Sequence, residues 1–230
     1  MPDFLQIKNI GKVFLPNKEV MITALEDVNL NIGKGDFAVL SGPSGSGKTT
    51  LLNIIGGLEE ASHGEIILNN IHITKLPEKE LSKTRRDHIG FVFQAYNLIP
   101  VLSAGENIKY IMKLQGRPQE ECDLRALEVA QKLGINTLLE KLPNQLSGGQ
   151  QQRVAVARAV AATPQLILAD EPTANLDSKS AASLMDMMEL LNKEEGVTII
   201  FSSHDPMVIG KARHSILLKD GKVIADEEPG

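Results

Sequence analysis

Three stretches of the chain are apolar at nearly every position: Phe37-Ala38-Val39-Leu40-Ser41, Leu166-Ile167-Leu168-Ala169 and Val197-Thr198-Ile199-Ile200-Phe201. Runs this short and this uniformly apolar suit strands buried on both faces, the condition of a parallel sheet. Around them lie segments of helical pattern at Thr49 to Gly56, Leu124 to Leu133, Gln150 to Ala162 and Ala181 to Asn192. Strands alternating with helices predict an α/β core whose helices cross over between parallel strands. Residues 4 to 32 read differently, as short alternating strands with a polar break at Leu15-Pro16-Asn17-Lys18-Glu19, which predicts an antiparallel hairpin. A second hairpin is predicted where Asp220-Gly221 separates the apolar runs Ile216-Leu217-Leu218 and Val223-Ile224. From about Ile99 to Gln145 no strong strand appears, and the pattern is charged and helical. The expected organisation is one domain over residues 1–230. A catalytic core with an antiparallel β subdomain takes about 1–98 and 155–230, and a helical subdomain takes about 99–154.

Composition narrows what such a fold can serve. With 230 residues and 42% hydrophobic content the chain can bury a sizeable core. A formal net charge of −5 provides no general basic field. Nucleic acid is therefore not an expected partner, and membrane contact is expected only through another protein. No window approaches the roughly 18 uninterrupted apolar residues that a membrane-crossing helix needs. The opening residues, Met1-Pro2-Asp3-Phe4-Leu5, lack the basic start and apolar centre of a secretory signal, so a cytoplasmic location is expected. Cys122 is the one cysteine, which leaves no internal disulfide or cysteine-rich metal site, and with no identifiable base it is read as an idle thiol.

Chemistry enters at Gly42-Pro43-Ser44-Gly45-Ser46-Gly47-Lys48-Thr49, which matches G-x-x-x-x-G-K-[ST] at every fixed position. It follows an apolar strand and opens a helix, the context the motif requires. Glycines let the backbone curl so that successive N–H groups face phosphate oxygens, and the helix N-terminus adds partial positive charge. Lys48 can bridge the terminal phosphates, and Thr49 can offer a hydroxyl to Mg²⁺. By itself the motif specifies a nucleoside triphosphate and nothing about its use.

The second apolar strand ends in Asp170-Glu171, at the carboxyl edge of a parallel sheet where α/β proteins place ligands. Asp170 suits the Mg²⁺ shell, and Glu171 can polarise a water for in-line attack on the γ-phosphate. The third strand leads through Ser202-Ser203 to His204, a candidate for positioning Glu171, the water or the γ-phosphate. The remaining histidines, His63, His72, His88 and His214, show no metal-site spacing and are read as surface or satisfied core residues.

Leu146-Ser147-Gly148-Gly149-Gln150 introduces another helix, with Ser147 a good N-cap and two glycines exposing backbone N–H groups. Here the chain resembles the ABC ATPase family, whose LSGGQ signature stands between the phosphate loop and the acidic strand, in the order found here. The resemblance covers essentially the whole chain. It implies a P-loop NTPase (RecA-like) core with an N-terminal antiparallel β subdomain and an inserted helical subdomain, ATP and Mg²⁺ as cofactors, and hydrolysis coupled to transport. It implies that Gln94, in Phe91-Val92-Phe93-Gln94, touches Mg²⁺ and water and senses a transmembrane partner. Residues Gly42 to Thr50 would hold the nucleotide, Phe14 would stack on adenine where Tyr is commoner, and His204 would act as the switch histidine. Two such subunits would pair head to tail, with Ser147, Gly148, Gly149 and Gln150 closing on nucleotide held by the opposite copy and Asp177, in Ala174-Asn175-Leu176-Asp177, at the interface. Arg85, Arg86 and the helical segment after the Gln94 loop are candidates for docking a permease, with an ordinary solvated charge pair the alternative for the two arginines.

Other members of the family act elsewhere. DNA-repair members interrupt the ATPase with a long coiled coil, whereas no sustained heptads separate Lys48 from Ser147. Translation-factor members carry two ATPase domains, and this chain has one phosphate loop. A regulatory module that no longer hydrolyses would not need both Glu171 and His204. The segments from Arg85 to Gln94, Asn97-Leu98-Ile99-Pro100 and Asn144 to Arg153 resemble the lipoprotein-release and macrolide-export branch. Cargo would then be selected by the permease, since the chain has no substrate pocket to read.

Overall fold

The computed structural model describes residues 4–17 and 20–227. In chain order its elements are β1 (Leu5–Asn17), β2 (Val20–Ile32), β3 (Phe37–Ser41), α1 (Lys48–Ile55), β4 (His63–Leu68), β5 (Ile71–His72), α2 (Glu78–His88), β6 (Ile89–Val92), α3 (Ala104–Leu114), α4 (Gln119–Lys132), α5 (Gly148–Ala161), β7 (Leu166–Ala169), α6 (Ser178–Glu195), β8 (Thr198–Ser203), α7 (Pro206–Ile209), β9 (His214–Lys219) and β10 (Lys222–Glu227). They form two compact units, Met1–Lys83 with Thr198–Gly230, and Thr84–Val197. The α/β class with an antiparallel β sheet and a helical segment is the one predicted.

In the first unit β3 is buried at all five positions and lies between β8 and β9, parallel to both. Its uniformly apolar sequence thus has the two-sided burial it predicts. Phe37 of β3 and Phe201 of β8 are fully buried with ring centroids 5.0 Å apart. Removing such a side chain from water contributes about 1.5–3 kcal/mol. The strand predicted at Val197 to Phe201 runs instead from Thr198 to Ser203. The buried Asn192 amide takes the carbonyl of Val197 at 2.7 Å, and Ser202 and Ser203 continue the ladder opposite Leu40 and Ser41. β10 returns antiparallel to β9 through Asp220 and Gly221, at φ 49° and 77°. Positive φ at both central residues is the backbone of a type I′ hairpin turn.

The other sheet of this unit has the order β2-β1-β4-β5, and β1 pairs antiparallel with β2 and with β4. Each strand of the β1–β2 hairpin is 13 residues long, and the turn residues Lys18 and Glu19 lie outside the described residues. The sequence reads as shorter strands because register shifts between Ile7 and Ile10 and between Ile10 and Lys12 interrupt the side-chain alternation. Asn9 and Asp27, at φ 50° and 48°, take the left-handed backbone at these irregularities. His214 is a satisfied core histidine: Nε2 lies 2.6 Å from Asp226 and Nδ1 3.4 Å from Asp36.

In the second unit β6 and β7 pair in parallel from Ile89 opposite Leu166 to Val92 opposite Ala169. The chain between them runs through α3, α4 and α5. A capping box of Ser103 and Glu106 starts α3, while Arg125 and Lys132 of α4 join Glu195 at the end of α6. Helix α2 is not foreshadowed by hydrophobic periodicity, because only Thr84 among its eleven residues is buried. Among the described residues no helix is long and apolar enough to cross a membrane. No group of three or more His, Cys, Asp or Glu side chains among them is disposed to hold a metal ion.

Candidate active site

In the first unit β3 delivers its chain directly into the phosphate loop. Gly42 and Gly47 have φ 141° and 104°, values an L side chain rarely adopts. A Cβ on Gly47 would also stand 2.7 Å from the Ala24 carbonyl, so the close approach of β2 excludes any larger residue. Gly221, in the turn between β9 and β10, donates to the Ser46 carbonyl at 3.1 Å and accepts from the Glu26 N–H at 2.9 Å. The loop is therefore braced before any ligand arrives.

Lys48 is 7% exposed, and its ammonium donates to the carbonyls of Gly42 and Pro43 at 2.9 and 3.0 Å. Neutral acceptors hold it within the loop. Gly47 caps α1 in the left-handed conformation and offers no side-chain acceptor to the first turn, while Pro43, Ser44, Gly45 and Thr49 are exposed. The buried Ser46 hydroxyl has no hydrogen-bond partner. A helix N-terminus without a side-chain cap, a cation held at the carbonyls of the loop before it and an open glycine loop fit a polyphosphate. In the same unit His204 is exposed at the end of β8, followed by Asp205, whose carboxylate accepts from Met207 N–H at 2.8 Å and caps α7. Phe14 in β1 is half-buried and carries the Lys12 ammonium 4.8 Å from its ring centroid.

The second unit holds the acidic residues. The Asp170 N–H donates to the Val92 carbonyl at 2.9 Å, so the β6–β7 ladder extends to the residue that carries the carboxylate. Glu171 follows at φ 44°, a left-handed backbone that a non-glycine residue keeps only when its surroundings impose it. Gln94 is exposed two residues beyond β6, and its carbonyl accepts from the Asn175 amide at 3.0 Å. The residues expected at Mg²⁺, Thr49, Asp170 and Gln94, are too few for an all-protein cage. That suits an ion that keeps waters and binds chiefly through phosphates.

Ser147 and Gln150 form a reciprocal capping box on α5. The Ser147 hydroxyl accepts from the Gln150 N–H at 3.3 Å, and the Gln150 side chain accepts from the Ser147 N–H at 3.0 Å. Asp177 caps α6, accepting from the N–H groups of Lys179 and Ser180 at 3.1 and 3.0 Å and from the Ser180 hydroxyl at 2.6 Å. The Ser180 hydrogen bonds hold its carboxyl below the usual carboxylate range. A Cβ on Gly149 would reach Leu176 and Ser180 at 3.8 and 4.0 Å, so this unit brings the signature glycines beside the Asp177 cap. Of the two arginines ahead of β6, Arg86 forms a forked pair with Asp87 at 2.7 and 2.8 Å.

Two buried polar residues of α5 are given no role by the sequence motifs. Gln152 is fully buried and donates to the carbonyl of Pro172, next to Glu171, at 2.8 Å. Arg158 is 9% exposed and donates to the carbonyls of Asn97 and Tyr96 at 2.6 and 3.1 Å. Burial pushes its guanidinium below the ordinary arginine value. The signal was a lone charge inside Val-Ala-Val-Ala-Arg-Ala-Val-Ala, where an apolar helix has no reason to carry one.

A family model described as ABC transporter matches residues 25–174. An ABC transporter ATP-binding protein of Methanocaldococcus jannaschii, MJ0796, is 47% identical over 228 residues, 97% of each chain. The macrolide export ATP-binding/permease protein MacB of Campylobacter jejuni is 44% identical over 220 residues, which are 96% of this chain and 33% of that protein. Among solved structures, the dimeric post-hydrolysis state of MJ0796 bound to ADP and Pi is similar with a TM-score of 0.90 and 45% identity, over 97% of this chain and 98% of that one.

Proposed function

The chain belongs to the ABC transporter family as an ATP-binding, ATP-hydrolysing subunit, and from that membership we propose how its residues divide the reaction. Gly42 to Thr50 bind the triphosphate of ATP, with Lys48 turning from its two loop carbonyls to the terminal phosphates and Phe14 against the adenine. The observation that carries this reading is the uncapped N-terminus of α1 beneath a buried lysine that has only neutral acceptors. Thr49, Asp170 and Gln94 would be the residues to hold Mg²⁺, which would supply charge neutralisation on the phosphates. Glu171 takes a proton from water as the water oxygen bonds to the γ-phosphorus, and the bond to the β–γ bridging oxygen breaks to release ADP and phosphate. His204 and Gln94 position the reacting groups.

A second copy completes the unit, with Ser147, Gly148, Gly149 and Gln150 closing on nucleotide bound to the opposite subunit and Asp177 at the contact. The membrane is reached through a permease of the lipoprotein-release or macrolide-export type, which places the subunit on the inner face of the cell membrane. That MacB carries its ATP-binding and permease parts in one protein supports this partner class.

The test is steady-state phosphate release by purified chain with Mg²⁺ and ATP. Glu171→Gln should cut turnover by about 10²–10⁴, the range of general-base catalysis, while ATP binding persists and a closed dimer accumulates. Rapid hydrolysis by this variant would refute the role of Glu171, and an unmutated chain without turnover would refute hydrolysis itself.

A further inference from the structure

Arg158 is a nearly buried guanidinium that, among the described residues, pairs with no carboxylate; both of its hydrogen-bond partners there are backbone carbonyls. Burying an unpaired charge is costly, and a neutral side chain of similar volume would pack more favourably here. Its two acceptors are not ordinary backbone. Tyr96 and Asn97 stand at φ 62° and 48°, consecutive left-handed non-glycine residues, two and three positions after Gln94. Asn175 holds the same loop at the Gln94 carbonyl. The Tyr96 hydroxyl in turn lies against the entrance of α5, 2.8 Å from where a Cβ on Gly148 would stand. One helix therefore meets one loop at two points, through the Arg158 fork and at the Tyr96 hydroxyl.

We propose that Arg158 is a positioning residue that holds the Gln94 loop in register with the signature end of α5, so that a shift of either is transmitted to the other. The fork keeps the strained Tyr96–Asn97 turn in place, and Tyr96 relays its position to Gly148. This inference rests on the roles proposed above for Gln94 and the signature residues.

The test uses the purified full chain carrying Arg158→Met, which removes the charge and keeps the volume, and Arg158→Lys, which keeps the charge and loses the fork. Hydrogen exchange should accelerate by about tenfold or more at the Tyr96 and Asn97 amides of Arg158→Met, and together with them at Gly148 to Gln151. Turnover per folded molecule should fall about tenfold with the KM for ATP changed by less than about threefold, and Arg158→Lys should fall between the two. In a Gln94→Ala background Arg158→Met should have little further effect on kcat, because both changes act through one group. Faster exchange confined to 96–97, a kcat loss that vanishes once corrected for folded protein, or full additivity with Gln94→Ala would each overturn the proposal. If the unmutated chain showed no turnover the proposed function would fall, and exchange at Gly148 to Gln151 would still decide this inference.

Discussion

Two helices of this protein begin at glycine-rich loops that read alike in sequence, yet their N-termini are finished in different ways. Helix α1 starts from Gly47, left-handed and without a side chain, so its N-cap makes no side-chain hydrogen bond to the first turn. Helix α5 starts from Ser147, whose hydroxyl and backbone exchange hydrogen bonds with Gln150. Losing a good cap costs a helix about 1 kcal/mol. The α1 terminus forgoes that stabilisation and leaves its donors for an anion, with Lys48 beside them. The α5 terminus is already self-satisfied at two donors, and its glycines adjoin Tyr96 and the Leu176–Ser180 segment. On the roles proposed above, the terminus that binds phosphate within its own subunit stays open, whereas the one that would meet nucleotide only on closure is stable without it.

The sharpest test of this contrast is Lys48→Ala. It should weaken ATP binding by about 10–100-fold, the worth of charge-assisted hydrogen bonds, and an unchanged affinity in a calorimetric titration would show that the loop is not the phosphate site. Next comes Gly47→Ala, which forces an alanine to φ 104° and its Cβ onto the Ala24 carbonyl. Folding stability should drop by about 2 kcal/mol in urea denaturation, and an unaffected midpoint would mean the loop relaxes freely. Ser147→Ala should cost about 1 kcal/mol through the lost cap, detectable as a lower melting temperature without nucleotide. The smallest effect is expected at Gly148→Ala, where the added Cβ meets only the far end of the Tyr96 side chain. Its stability should change by less than about 1 kcal/mol; a loss equal to that of Gly47→Ala would erase the distinction between the two termini.

Legibility followed burial and local chemistry. The strands Phe37–Ser41 and Leu166–Ala169 fall where the apolar runs place them, because a strand covered on both faces has no polar position to disguise it. Ser202 and Ser203 hid the end of β8, since a hydroxyl reads as a polar position and only the ladder opposite Leu40 and Ser41 shows that the strand continues there. The bulged β1–β2 ribbon read as fragments for a related reason: each register shift resets the alternation on which strand recognition depends. Helix α2 left no trace in periodicity because it buries almost nothing.

Residue order alone was enough to locate the segments proposed for phosphate chemistry, because a glycine-lysine-threonine loop, an Asp-Glu strand end and a Ser-Gly-Gly-Gln helix entrance are each made by neighbouring residues. Folding was needed to show that Gln152 reaches the carbonyl after Glu171, that Arg158 grips the loop after Gln94, and that the Tyr96 hydroxyl lies against Gly148. These contacts join residues distant in the chain, and backbone carbonyls, being common to every residue, leave no mark in a sequence to show which side chain will hold them.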